Sequence, residues 1–479
     1  MAYRDLRQYI QRLEEEGELT QIDAEVDWDL EAGAISRRAI NRRNGAILFN
    51  RIKGYPPGFR LMANLLGPGR PVHALFSLAL GHPKDTPVSE LINWVGRKTH
   101  ESLRPVMVDS APCKENILKG PDVDLTMFPS PRIHGIDGGR YLGTWHINVT
   151  RDPDTGWVNW GMYRHQLLDS RRLAFQAIPT QHGPSIYFQK YEPKGEAMPM
   201  AIALGTDPLS SIGAGAGIPA QTNEVDMVGA MQDQPVQLVK CETINLEVPA
   251  SAEIILEGHV PPYERELEGP FGEFTGYCAG GQVPRPVFHV DCITFRNDPI
   301  LTMSNMGKPW DELTMLHSVV TSAIMSEELH KQGIPFQGLY CAPPSLATIV
   351  AARPPYAGFI HSVASAVWAS KPGLHRPYVF LVGDDVDPTN MEDVFWCLTT
   401  RMHPSTGIHV HHEAPGGPML PFLSKSERRA GRSGRVAIDA TFPTDWPSED
   451  FPQIMDFENG WPAEVQERVI RRWEEFGLK

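Results

Sequence analysis

A first helix is predicted by apolar residues near the start of the chain. They recur at intervals of three and four positions, as one buried helical face requires: Leu6, Tyr9, Ile10 and Leu13. Gly17 follows as a C-terminal stop, and the run ELTQIDAEVD at 18–27 is typical of a strand. We therefore expect residues 1–115 to form an N-terminal α/β domain.

Strand patterns dominate residues 116–305. Four runs rich in β-branched and apolar residues are separated by turns rich in Gly, Pro and Asp: GTWHINVTRD, PVQLVKCETINLEV, SAEIILEGHV and PVFHVDCITFRND. Few long helical patterns interrupt them. This region is therefore predicted to form a β-rich central domain of barrel-like or α+β type.

Helical periodicity returns in residues 306–335, where ELTMLHSVVTSAIMSEELHKQG predicts a long connector helix. Two apolar runs bounded by helix breakers follow, SLATIVAARP and RPYVFLVGDDVDP, and such runs are typical of buried strands that alternate with helices. Residues 336–479 are therefore expected to form a C-terminal α/β domain, which makes the whole chain an α/β multidomain protein.

The end of the chain, PAEVQERVIRRWEEFGLK, predicts an amphipathic terminal helix. Four apolar residues share one face: Val465, Val469, Trp473 and Phe476. Because an exposed apolar face usually packs on another surface, we expect this helix to dock on a second subunit of a homodimer or higher homo-oligomer.

Composition excludes several classes of function. The 479 residues carry a formal charge of −14, which opposes nonspecific binding to nucleic acid or to an anionic membrane. No apolar run approaches the roughly 20 residues of a transmembrane helix, and the N-terminus lacks an apolar signal-peptide core. The six cysteines are scattered without a C-x-x-C pair, which favours reduced thiols and a cytoplasmic protein.

Three motifs have simpler structural explanations. The loop GAGAGIP at 213–219 has Ile218 where a dinucleotide fingerprint needs glycine, so a small-residue loop is favoured. His409 and His411 share a strand face, but without an acidic cluster nearby we expect hydrogen bonding rather than metal ligation. The aspartates of GDDVDP at 383–388 are explained better by a turn and a helix cap than by magnesium binding.

Two carboxylates bracket a tight turn in ELEGPFGEFTGYC. Glu268 and Glu273 flank Gly-Pro-Phe-Gly, and these breaks can bend the chain so that both acids reach one site. Arg164 lies in the apolar run GWVNWGMYRHQ, where a buried guanidinium needs an acidic partner. A carboxylate-binding proton relay and an ordinary surface arginine remain equally open from spacing alone.

Ordered motifs along essentially the whole chain resemble UbiD-type decarboxylases, which depend on prenylated flavin. The motifs are NWGMYR, IPTQH, NEVDMVGA, EIILEG, LEGPFGEFTGY, SKPG, LVGDDVDP and RMHP. Their combined order is specific, whereas no single motif would be. The resemblance implies that the central domain is a split-barrel-like flavin-binding domain.

The resemblance also implies a cofactor site. By position, the ligands of a divalent ion, Mn²⁺ or Mg²⁺, would be Asn159, His182 and Glu224, with K⁺ nearby. Prenylated FMN would be held through its phosphate at this metal site by a larger set of residues: Asn159, Trp160, Gly161, Met162, Tyr163, Arg164, Gln181, His182, Glu224 and Lys371.

The catalytic network of the family maps onto Arg164, Glu268 and Glu273 without departure. Arg164 would orient the substrate carboxylate and hold Glu268 ionised. Glu273 would have a raised pKa and would protonate the carbon that loses CO₂, in a reaction that also runs backwards. The flavin would act as the electron sink, and a flavin prenyltransferase would have to supply it.

The motifs leave the substrate open. In the loop EAPGGPMLPF, residues Gly416, Gly417 and Met419 leave room for a large or fused ring of phenazine or naphthalene type. GKPWDE is closer to the branch that acts on phenolic acids. An α,β-unsaturated, cinnamate-like acid is the alternative substrate, and the other functions considered are a non-catalytic flavin- or metal-binding subunit and a metal-dependent hydrolase.

Overall fold

The computed structural model describes residues 3–374, 376–417 and 419–478. Its helices are, in chain order, α1 Leu6–Glu15, α2 Glu31–Arg42, α3 Ala74–Ala79, α4 Val88–Lys98, α5 His182–Ile186, α6 Pro208–Gly215, α7 Glu224–Gln232, α8 Glu312–Leu316, α9 Ser322–Lys331, α10 Phe359–Ala369, α11 Met391–Thr400, α12 Lys425–Ala430 and α13 Ala463–Arg471.

The strands are distributed along the whole chain. In order they are β1 Leu19–Ile22, β2 Ala46–Phe49, β3 Arg60–Ala63, β4 Val106–Met107, β5 Asn116–Lys119, β6 Tyr141–Gly143, β7 His146–Arg151, β8 Val158–Gly161, β9 His165–Leu167, β10 Arg172–Phe175, β11 Met198–Leu204, β12 Gln237–Lys240, β13 Glu247–Pro249, β14 Ile254–Val260, β15 Arg265–Glu268, β16 Val283–Phe295, β17 Ile300–Met303, β18 Gly338–Ala342, β19 Ala347–Ala351, β20 Tyr378–Val382, β21 Ile408–Pro415 and β22 Arg432–Ala440.

The N-terminal region is a small sheet covered by helices. Its strand order is β1-β2-β3-β17, and helix α1 buries the four apolar residues that predicted it. Gly17 follows with φ +70°, in the left-handed region that ends helices. Strand β17 pairs in parallel with β3, so the end of the predicted central segment completes the N-terminal sheet. The division at residue 115 stays a prediction.

The central region is built on a large, mostly antiparallel sheet. Its order among the described residues is β6-β9-β10-β16-β14-β11-β7-β8, and β5 and β15 also pair with the long strand β16. The pairing of β14 with β16 shifts register after Glu257, which pairs with Cys292, whereas Gly258 pairs with Val290, so Asp291 of β16 is the extra residue of a bulge. A Cβ at Gly258 would lie 1.8 Å from the carbonyl oxygen of His289, so only glycine fits there. The sheet curls into a half-barrel, which agrees with the predicted split-barrel-like domain.

The predicted connector helix is present, with one irregular turn. Helix α8 continues through a π-helical turn, His317–Thr321, into α9. The C-terminal region then forms a sheet of order β18-β19-β20-β22-β21, in which β19, β20 and β22 run parallel. The two buried strands expected from apolar runs are β19 and β20.

The terminal helix is shorter than the pattern predicts. Helix α13 ends at Arg471, and the last two residues of the predicted apolar face, Trp473 and Phe476, belong to a following turn. Ile470 is 63% exposed and Phe476 is 50% exposed, so apolar surface lies open here. None of the helices in the described part of the chain is long and apolar enough to cross a membrane.

Candidate active site

A cavity of about 350 Å³ lies where the central sheet meets the connector helix and the C-terminal region. Its volume is within the roughly 300–1,000 Å³ of small-molecule sites. Its wall is mainly apolar, and these segments line it: 159–164, 178–182 with gaps, 214–217, 271–274 with a gap, 313–321 with gaps, 371–372 and 417–420 with a gap. The predicted site residues converge on this cavity.

Arg164 and Glu268 form a two-pronged ion pair at the base of the cavity. Nε of Arg164 donates to Oε1 of Glu268 at 2.7 Å, and Nη2 donates to Oε2 at 3.0 Å. The side chains are 12% and 2% exposed, so water screens the pair little. Glu268 itself does not line the cavity. It holds the guanidinium of Arg164 in place through this ion pair.

Glu273 lies on the cavity wall and is bonded to the same guanidinium. Nη1 of Arg164 donates to Oε1 of Glu273. Burial raises the pKa of Glu273, and the charge of Glu268 raises it further, while Arg164 opposes the shift. A buried carboxyl with a raised pKa beside a second carboxyl on the same guanidinium is suited to carry a proton to and from a bound molecule.

The turn between the two acids brings both onto Arg164. Glu268 is the last residue of β15, and Gly269 adopts φ +86°, a conformation that favours glycine. The chain then folds back so that Glu273 faces the cavity. This agrees with the expectation that the Gly-Pro and Phe-Gly breaks bend the segment.

Three further residues of this centre were missed by sequence reasoning. The hydroxyl of Tyr141 donates to Oε1 of Glu268 at 2.8 Å, and Oε1 of Gln166 accepts from the amide of Gly269 at 2.8 Å. The ring of Phe271 lies 4.8 Å from Cζ of Arg164, a cation–π contact. Phe271 stood in the quoted motif, but Tyr141 and Gln166 meet through the pairing of β6 with β9, which no local pattern displays.

Two of the predicted metal ligands face each other. Nδ1 of His182 lies 3.9 Å from Oε1 of Glu224, and Oε2 of Glu224 accepts from the amide of Trp160 at 3.0 Å. Asn159 lines the same cavity, and its amide nitrogen, not its oxygen, contacts Thr150 at 3.3 Å. One imidazole, one carboxylate and one amide oxygen suit a hard divalent ion. Across the described residues no cluster of three or more His, Cys, Asp and Glu is arranged to hold a metal.

The predicted cofactor residues surround this pair. Segment 160–163 lines the cavity, and Oε1 of Gln181 is buried with no hydrogen-bond partner in the described residues, so it can accept from a ligand. Nζ of Lys371 lies 2.7 Å from Nε2 of His182 and donates to the carbonyl of Ile218 at 3.0 Å. Burial lowers the pKa of Lys371 to about 8. A lysine, two potential metal ligands and one unsatisfied amide oxygen fit a phosphate-bearing cofactor with its metal.

The cradle depends on a close packing around Tyr163. The hydroxyl of Tyr163 accepts from the amide of Gly183 at 2.9 Å, directly after His182. A Cβ at Gly161 would lie 2.2 Å from this hydroxyl, and one at Gly183 would lie 2.7 Å from the ring. The glycines therefore let the tyrosine lock two cavity-lining segments together.

Of the three other motifs, residues 214–217 line the cavity, whereas His409 and the aspartates of 383–388 do not. His409 contacts the ring of His361, and Asp385 forms a two-pronged ion pair with Arg401, and neither contact was predicted. Asn390, not an aspartate, caps α11. The prediction of a loop at 213–219 is wrong for residues 213–215, which form the end of helix α6. Only glycine fits at position 213, because the side chain of Val228 packs against it.

The C-terminal wall of the cavity combines small, flexible and polar residues. Gly417 and Met419 line it as expected, whereas Gly416 does not, because its amide bonds to the carbonyl of Gly431. Pro418 of this loop lies outside the described residues. His317 also lines the cavity, with its Nδ1 buried and unpaired within the described chain, and burial lowers its pKa to about 3.

Family models match almost the whole chain. They are the N-terminal domain, the Rift-related domain and the C-terminal domain of 3-octaprenyl-4-hydroxybenzoate carboxy-lyase, matched by residues 10–95, 104–309 and 314–440. The chain belongs to the UbiD family, and it is a carboxy-lyase.

Similar proteins of known activity span the full chain. The pyrrole-2-carboxylic acid decarboxylase of Pseudomonas aeruginosa is 33% identical over 99% of this chain and 98% of its own. The closed form of the vanillic acid decarboxylase of Sedimentibacter hydroxybenzoicus superposes with a TM-score of 0.89 at 30% identity, covering 100% of both chains. An evolved dimeric form of HmfF from Pelotomaculum thermopropionicum, in complex with prFMN, gives 0.79 at 27% identity over 94% and 97%.

Proposed function

We propose that this protein is a reversible, prenylated-FMN-dependent decarboxylase of aromatic or heteroaromatic carboxylic acids. The observation that carries the proposal is the buried Arg164–Glu268–Glu273 network on the wall of a cavity large enough for a cofactor and a small acid. A binding protein without catalysis has no need of two buried carboxylates on one guanidinium. This also disfavours the non-catalytic alternative.

The cofactor is assigned to the His182–Glu224 end of the cavity. Asn159, His182 and Glu224 would hold Mn²⁺ or Mg²⁺ at the flavin phosphate, with K⁺ nearby and Lys371 as a further phosphate contact. Segment 160–164 and Gln181 would meet the rest of the flavin. When bound, prenylated FMN supplies the electron sink that aryl decarboxylation needs.

Arg164 and Glu273 would have different roles at the reacting carbon. Arg164 would orient the substrate carboxylate while Glu268 keeps the guanidinium in place. Glu273, whose pKa is raised, would deliver a proton to the carbon that loses CO₂ and would recover it in carboxylation. Two different carboxyl roles follow from their surroundings: Glu268 is tied to Arg164 and Tyr141, whereas Glu273 faces the cavity.

The cavity favours an aromatic ring with a polar group. Apolar surface dominates its wall, which suits a ring, and the imidazole of His317 among the lining residues suits a polar ring substituent. Two of the three similar proteins named above act on acids of this kind, a pyrrole and a phenol. An α,β-unsaturated, cinnamate-like acid remains the second candidate.

We further infer that the enzyme is a homo-oligomer and that another enzyme supplies its cofactor. A flavin prenyltransferase would supply the cofactor, and exposed apolar side chains such as Met455, Ile470 and Phe476 suit a homodimer or larger homo-oligomer. The six free cysteines fit a reducing, cytoplasmic setting.

The test is expression with and without a flavin prenyltransferase. The absorption spectrum, metal content and CO₂ release would be measured on a panel of pyrrole, phenolic, fused-ring and cinnamic acids. We expect release of CO₂ only from the flavin-containing preparation and with the first three classes. Decarboxylation by protein free of flavin would contradict the proposal and favour a metal-dependent hydrolase-like site.

A further inference from the structure

Residues 134–138 contact the turn that separates the two catalytic glutamates, and Asp137 is the buried residue of this segment. The amide of Gly272 donates to Oδ1 of Asp137 at 3.0 Å, and the amide of Gly138 donates to the carbonyl of Pro270 at 2.9 Å. The side chain of Asp137 is 0% exposed. The turn is thus fixed from one side by two bonds within three residues of Glu273.

The fit between the two segments leaves no room for side chains. A Cβ at Gly138 would lie 2.0 Å from the carbonyl oxygen of Gly269. A Cβ at Gly272 would lie 2.6 Å from Nδ1 of His134. Both glycines are therefore required by the approach of the segments, and His134 lies directly against the turn.

His134 connects this turn to the opposite wall of the cavity. Its Nδ1 lies 3.1 Å from Oδ2 of Asp137, and its Nε2 donates to the carbonyl of Met306 at 2.8 Å. Met306 lines the cavity, whereas neither His134 nor Asp137 does. Because both ring nitrogens face acceptors, the geometry favours the imidazolium. Burial opposes this charge, but the hydrogen bond and charge of Asp137 raise the pKa of His134 above its ordinary value.

We propose that Asp137 and His134 are positioning residues for the carboxyl group of Glu273. The pair ties the turn at Gly272 to the wall at Met306, so the distance between the proton donor and a bound acid is set by a buried ion pair. The proposal rests on the proposed function, since it assumes that Glu273 transfers the proton. A displacement of about 1 Å at such a group can cost about 100-fold in rate.

The test uses the flavin-loaded enzyme and three variants. Asp137→Asn keeps the shape but not the charge, and His134→Gln keeps a donor for Met306 but loses the ion pair. Asp122→Asn, at an exposed site, is the control. We expect the first two to lower kcat by about 100-fold with KM within twofold and the flavin spectrum unchanged, and the control to match the wild type.

Hydrogen exchange gives a readout that does not need the variants to fold. In the wild-type protein the amide of Gly272 should exchange as slowly as the strand amides of β16, and Asp137→Asn should accelerate exchange across 269–276. Fast exchange at Gly272 in the wild type overturns the inference, and so does a wild-type kcat in either variant. The turnover of Glu273→Gln is measured in the same assay. Full turnover of Glu273→Gln overturns the proposed function itself. Loss of turnover in Glu273→Gln together with wild-type turnover in Asp137→Asn overturns only the positioning role.

Discussion

Arg164 uses three of its nitrogen atoms on two carboxylates that lie five residues apart in the chain. Nε and Nη2 bind Glu268 as a fork, and Nη1 binds Glu273. The fork geometry needs a planar guanidinium, and the pKa of Arg164 is raised because the two acids outweigh its burial. The consequences can be tested residue by residue.

Arg164→Lys should abolish most activity although it preserves the charge. A lysine offers one compact ammonium and cannot bind both carboxylates and a substrate in fixed directions, so we expect kcat/KM to fall by at least about 100-fold. Steady-state CO₂ release measures this. Arg171→Lys, at an exposed position nearby, should be neutral; equal activity of the two variants would show that the fork is dispensable.

Tyr141→Phe should weaken catalysis without disturbing the fold. The variant removes the hydroxyl that donates to Glu268, and a hydrogen bond to a charged group contributes about 1.5–3 kcal/mol. We expect kcat to fall about tenfold or more. Tyr187→Phe is the matched control, because its buried hydroxyl bonds Pro261 and Glu192 instead. A tenfold loss in the control and none at Tyr141 would contradict the assignment.

Glu224→Gln should release the divalent ion. The amide keeps the size of the side chain but removes the charge that faces His182. We expect metal content by mass spectrometry to fall well below one per chain and flavin retention to fall with it. Asp226→Asn, two residues along helix α7, should keep both. Full metal occupancy in Glu224→Gln would place the ion elsewhere.

Glu312 should make the protein less stable as pH rises. Burial raises its pKa from 4.5 to about 7, with the charge of Asp311 adding and Ser304 and Arg37 opposing. Because the pKa of Glu312 is higher in the folded than in the unfolded state, the protein has its full stability below pH 4.5. The free energy of unfolding then falls by roughly 3 kcal/mol as pH rises to 7. Glu312→Gln should therefore gain stability relative to the wild type between pH 5 and pH 8. Denaturant titrations at both values measure this, and a pH-independent difference would contradict it.

Periodicity and turn chemistry predicted the elements that have strong local patterns. The apolar spacing of α1 and the buried runs of β19 and β20 need only local patterns, and so they were predictable. Two features were not predictable because they depend on tertiary context. They are the early end of α13 and the helical start of 213–219, where Gly213 packs tightly on Val228.

The residues of the site also divide into those that could be predicted from the sequence and those that could not. The resemblance supplied Arg164, Glu268 and Glu273 with their roles, whereas residue spacing left the role of Arg164 open. Tyr141, Asp137 and His134 reach the site through strand register and segment packing, which sequence order does not reveal. Residues that act through others were therefore the ones missed.

The most direct test of the central claim is the turnover of Glu273→Gln. The variant would be produced with a flavin prenyltransferase and matched to the wild type in absorption spectrum and metal content, with Glu266→Gln as a control that touches Arg172 instead. General acid catalysis of this kind contributes about 10²–10⁴-fold, so CO₂ release should fall by at least about 100-fold in Glu273→Gln and remain unchanged in the control. Near-wild-type release from the matched Glu273→Gln enzyme would contradict the account.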